Sequence, residues 1–126
     1  MAGTVVCNVI NTDTGIYTSN NALNGVAKAW VNFNGGNGNT AGAINGSFNV
    51  SSITVNGTGD YTVNFTTAIS SANYSWVAAA FRQPNSVNQA YAAQANPSVS
   101  AFRFQTSDAS NSLANMTYCS VTIFNS

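Results

Sequence analysis

The sequence predicts an all-β fold, a single antiparallel β-sandwich of about eight strands. Three observations carry that prediction. Most apolar stretches alternate with polar residues at a period of two, which puts every second side chain on one face of a sheet. Clusters of Gly, Asn, Asp and Ser separate these stretches at short spacing. No stretch of the chain has a convincing helical period.

The strands follow in order. Thr4 to Ile10 places Val5, Cys7 and Val9 against Thr4, Val6, Asn8 and Ile10, so this segment reads as a strand covered on both faces. Asn11 to Asn24 is a polar connection with turn chemistry at Asp13 to Gly15. In Gly25 to Asn34, Ala27, Ala29, Val31 and Phe33 form one face, and Val26, Lys28, Trp30 and Asn32 form the other. Gly35 to Gly42 is a glycine-rich loop, and Ala43 to Val50 resumes strand character with Ile44, Phe48 and Val50.

The clearest unit is a hairpin from Ser51 to Thr67. Ile53, Val55, Tyr61, Val63 and Phe65 share one face, and Asn56 to Asp60 reverses the chain, with Gly57 or Gly59 supplying positive φ. Asn73 to Arg82 sets Tyr74, Trp76, Ala78, Ala80 and Arg82 against Ser75, Val77, Ala79 and Phe81. Gln83 to Pro97 reads as the longest polar insertion. Ser98 to Thr106 puts Phe102 and Phe104 on one face against Val99, Ala101, Arg103 and Gln105 on the other, Ser107 to Ser112 turns, and Leu113 to Phe124 is the last strand. With no change of composition along the chain, residues 1–126 are expected to form one domain.

The surface must be built almost without charge. Only 5% of the 126 residues are charged, against about 25% in ordinary domains, while 44% are hydrophobic. The charged residues are Lys28, Arg82, Arg103, Asp13, Asp60 and Asp108, and histidine is absent. Three basic residues make no patch for nucleic acid or an anionic membrane surface. No apolar run reaches the roughly 20 residues of a membrane span, so membrane insertion is not expected. The start, MAGTVVCNVI, lacks the basic region and apolar core of a signal peptide. The expectation is release without Sec-type export, or a leader that precedes Met1.

Catalysis is not expected. Three aspartates, all in turn contexts, and no His or Glu leave little to move protons or to activate a serine. GNGNTAG lacks the lysine and following helix of a phosphate loop. The reading is no catalytic residue, no cofactor and no metal. Cys7 and Cys119 read as buried thiols acting as small hydrophobes, with a disulfide open to them if their strands pair. Six N-x-S/T sequons, at Asn45, Asn49, Asn56, Asn64, Asn73 and Asn115, follow from composition.

Binding is what such a composition can do. Amides and hydroxyls match sugar hydroxyls, and aromatic rings match the apolar faces of sugars. The candidate loops are Asn34–Thr40 and Gln83–Gln94, with Asn88, Gln89 and Tyr91 as candidate binding residues. The plain alternative for any one of them is a solvent loop. Trp30, Tyr74, Trp76, Tyr118 and Phe124 are expected on outer sheet faces, where they would contact a neighbouring subunit.

Three stretches, KAWVNFNG (Lys28–Gly35), INGSFNVSSITVNGTGDYTVNFTTA (Ile44–Ala68) and ANYSW (Ala72–Trp76), together with INTDTG (Ile10–Gly15), resemble a family of small β domains in tailed-bacteriophage virion proteins. Members occur as fibre tips or as stand-alone tail-fibre-like proteins. The resemblance implies a homotrimer on the virion surface, assembled in the host cytoplasm and released on lysis. It implies two roles: a tip that binds a host surface glycan, or a decoration or cement protein that binds only other virion proteins of capsid or tail. Longer fibre proteins carry a shaft upstream, so either Met1 opens a complete small protein or the sequence begins after the shaft.

Overall fold

The computed structural model describes residues 3, 6, 9–12, 15–18, 24–36, 40–82 and 89–125. Among them are the strands β1 (Val9–Thr12), β2 (Gly15–Thr18), β3 (Ala29–Phe33), β4 (Ile44–Phe48), β5 (Val50–Gly57), β6 (Asp60–Phe65), β7 (Ser75–Phe81), β8 (Gln89–Pro97), β9 (Ala101–Ser107) and β10 (Tyr118–Phe124). Two four-stranded antiparallel sheets, β4-β3-β10-β7 and β5-β6-β9-β8, pack together as a β-sandwich, which is the fold class the alternation predicts. β1 and β2 form a two-stranded ribbon of their own.

The inner faces supply the core. Ala29, Val31, Phe33, Cys119, Val121 and Ile123 come from the first sheet; Tyr61, Val63, Phe65, Phe102 and Phe104 come from the second. Phe33 meets Tyr61 and Phe104 edge-on at 5.3 and 6.1 Å between centroids, and Phe102 stacks on Phe104 at 6.0 Å. Such ring pairs contribute roughly 0.5–1.5 kcal/mol each beyond their burial. Cys119 is a buried free thiol pushed up to about 12 by burial, and Cys7 lies outside the described residues.

The β5–β6 hairpin forms where the sequence puts it. Gly59 supplies the turn's positive φ of 63°, and any Cβ there would sit 2.5 Å from the Thr106 carbonyl oxygen and 2.7 Å from the Ala114 nitrogen. The predicted apolar face is only partly inside. Tyr61, Val63 and Phe65 are buried, Ile53 is half-buried, and Val55 is exposed. β5 is a sheet edge with register shifts near both ends, and bulges of this kind turn an edge strand away from the facing sheet.

Five local expectations are corrected. The expected strand at Ala43–Val50 is broken at Asn49, which adopts φ 55° where the chain leaves one sheet for the other. The Asn49 side chain holds this corner by donating to the carbonyls of Lys28 and Thr67 and accepting from the Thr67 N–H at 2.8 Å. The expected polar connection at Asn11–Asn24 contains β2 and the last two residues of β1. Val6 and Val9 are exposed rather than covered. The polar insertion at Gln83–Pro97 contains β8, the edge partner of β9.

The fifth correction concerns β7. Trp76, Ala78 and Ala80 pack against the core, while Val77, Ala79 and Phe81 face outward. Tyr74, expected outside, is buried between Phe65 and Phe102 and donates to the Ser98 and Ala101 carbonyls. Trp76 lies against Phe102 at 5.1 Å. At this end of the sandwich Tyr74 and Trp76 fill the space between the sheets, and Val77 is left on the surface.

Candidate functional site

The two outer faces differ in chemistry. On the sheet β5-β6-β9-β8, polar side chains satisfy one another. Asn64 donates to Thr54 Oγ1 at 2.9 Å and to Ser52 Oγ at 3.1 Å, and Asn56 donates to Thr62 Oγ1 at 2.9 Å. Asp60, expected to bond its own turn, instead bridges strands. Arg103 clamps it through Nε at 2.9 Å and Nη2 at 2.6 Å, and Gln105 and Asn56 add further donors. The Arg103 hydrogen bonds hold the Asp60 carboxyl at about 2, below the usual 3.8, against the opposing effect of burial. A carboxylate saturated in this way is a structural anion. Asp108 behaves as expected, accepting from the Ser110 and Ser112 N–H groups within its own turn.

On the sheet β4-β3-β10-β7 the outer face is largely apolar. Strand register places Phe48, Trp30, Thr122 and Val77 side by side in one row across the four strands. Phe48 is 54% exposed, Trp30 42% and Val77 61%. Gly46 sits in the next row, and a Cβ built there would lie 3.5 Å from the Trp30 ring, so the indole lies over the glycine. That row continues through Asn32, Ser120 and Ala79, with Asn32 donating to Ser120 Oγ at 2.9 Å and accepting from Asn45 at 2.9 Å. The next row holds Tyr118 beside Phe81, both about half exposed, with their rings stacked at 6.3 Å and 21°.

Tyr118 divides two hollows. One, of about 420 Å³, is lined by Asn34, Thr40, Ala43, Asn45, Thr117 and Tyr118. The other, of about 130 Å³, is lined by Ala79, Ala80, Phe81, Tyr118 and Ser120. The first is bounded by the described residues 34–36 and 40–43 that follow β3. Asn34 Oδ1 accepts from Gly36 N–H at 2.7 Å, and the loop closes through Asn34 N–H to Ala43 O and Gly42 N–H to Asn34 O. Gly35 anchors it beneath: a Cβ there would lie 2.6 Å from the Met116 carbonyl oxygen, and Tyr61 Oη donates to Gly35 O at 2.6 Å. Loop and strand thus bring two amides, two hydroxyls and one phenol ring to a common opening, with no charged side chain among the described lining residues.

Of the residues expected at an interface, Trp30, Tyr118 and half-buried Phe124 lie on this outer face, and Tyr74 and Trp76 point into the sandwich. Asn88 lies outside the described residues. Gln89 and Tyr91 belong to β8, with their side chains outside the described set. Asn34 and Thr40 were expected binding positions through their loop. Asn45 and Thr117 were missed, since they join the hollow only through the β3–β4 pairing and the approach to β10. Searches against protein-family models, curated proteins and solved structures find no match to this chain.

Proposed function

We propose that this chain is a non-enzymatic, self-associating surface module of a bacteriophage virion, a homotrimer that binds a host surface glycan. The observation that carries the reading is the asymmetry of the two outer faces. One is a self-satisfied polar ladder suited to water, and the other is a largely apolar face bearing Phe48, Trp30 and Val77 in one row. Soluble monomers rarely expose contiguous apolar patches beyond a few hundred Å². Covering the Phe48–Trp30–Val77 row with other subunits removes it from water without needing the Tyr118–Phe81 pair two rows along the strands, and closed symmetry limits the assembly. The number three and the virion setting come from the family resemblance.

The same row also suits a flat partner other than a second copy, which keeps the decoration role as the second reading. Labelling intact particles with an antibody to this chain separates the two. The tip reading expects label at the ends of tail fibres and binding of the purified protein to host cells that periodate treatment of the cells removes. Label spread over the capsid, with no cell binding, would replace the tip with a decoration protein.

A further inference from the structure

We infer that the hollow between Tyr118 and the loop after β3 is a binding site for a neutral pyranose. This rests on the glycan reading above and places the sugar at a site separate from Gln89 and Tyr91. Asn34 Oδ1 accepts from Gly36 and Asn45 Nδ2 donates to Asn32, which leaves a second lone pair on the one and a second N–H on the other for vicinal sugar hydroxyls, beside the hydroxyl of Thr40. Tyr118 presents a half-exposed ring at the wall, and its electron-rich face suits the polarised C–H bonds on the flat side of a pyranose. Phe81, stacked on Tyr118, restricts that ring, so less side-chain freedom is lost on binding.

The size and charge narrow the class. About 420 Å³ falls within the ~300–1,000 Å³ range of small-molecule sites. The 130 Å³ hollow on the other side of Tyr118 is lined mainly by Ala79, Ala80 and Phe81, and fits an apolar substituent such as an N-acetyl methyl or the next residue of a chain. With no cation among the described residues that line either hollow, phosphorylated, sulfated or acidic sugars gain nothing from them that offsets their desolvation.

The test is saturation-transfer difference NMR of the full chain with neutral methyl hexopyranosides, N-acetylhexosamines, and glucuronic and sialic acids at millimolar concentration. Neutral sugars are expected to bind, with strongest transfer to the protons of one ring face. Tyr118→Ala and, separately, Asn45→Ala should each weaken binding by about tenfold or more, while Tyr118→Phe should stay within about threefold of wild type. Light scattering on each variant checks that the assembly is unchanged. Preference for the acidic sugars would overturn the inference. So would sugar binding that survives both alanine variants and is lost when Asn88, Gln89 and Tyr91 are replaced together; that result would leave the glycan reading standing. No binding of any sugar by the wild type would overturn both.

Discussion

Tyr61→Phe removes one oxygen from a fully buried side chain and should cost more than most surface changes together. Tyr61 Oη donates to Gly35 O at 2.6 Å and lies 3.2 Å from Asn115 Oδ1. Asn115 Oδ1 keeps a donor in the variant, the Gly59 N–H at 2.8 Å, but Gly35 O loses Tyr61. The tight packing around Gly35 leaves little room for a replacement water. An orphaned buried acceptor costs about 1–3 kcal/mol. For a chain of 126 residues each kcal/mol is roughly 4 °C of Tm, so a fall of about 4–12 °C is expected by calorimetry at fixed protein concentration. A second signature is alkaline. Burial pushes Tyr61 up to about 12 from 10.0. A folded value above the unfolded one contributes stability that is complete below about pH 10 and disappears as pH rises through about 12. Tyr61→Phe should lack that component; Cys119 titrates in the same window and stays common to both proteins. A Tm within about 1 °C of wild type would refute the clamp.

Three further outcomes follow. Phe65→Ala should cost about 3–5 kcal/mol in urea unfolding, since the ring is buried against Tyr74. Asp60→Asn should flatten the acid limb: the depressed carboxyl stabilises the fold above about pH 4, and that contribution is lost as pH falls toward 2, so the variant's stability should change less across this range. Cys119 should resist iodoacetamide in the native protein and react on unfolding, as read by peptide mass spectrometry, because burial raises its thiol to about 12.

Where one face of a strand is apolar and the other polar, the sequence is easy to read. Tyr61, Val63 and Phe65 against Thr62 and Asn64 leave no doubt about which side is inside, and the same holds for Phe102 and Phe104 in β9. In β7 both sets are apolar, so the period marks a strand without marking its face, and Trp76 went inward while Val77 and Phe81 went outward. The corner at Asn49 was invisible because an asparagine between Phe48 and Val50 fits strand alternation as well as it fits a left-handed turn. Ile44 and Phe48, which give that segment its strand character, are exposed. The hollow is less legible still. Asn34, Asn45 and Tyr118 are far apart in sequence and meet through β3–β4 and β3–β10 pairing, and register across three strands is not written in any one of them.

The account turns on the apolar outer face of β4-β3-β10-β7. Light scattering of the purified full chain at micromolar concentration tests it directly. The expected mass is three times the 13.0 kDa of one chain. Trp30→Ser combined with Val77→Ser, two changes at exposed positions on that face, should shift the protein toward one chain without lowering core stability. A wild-type protein that stays soluble at 13.0 kDa would show that this face is at home in water, and the assembly argument would fail.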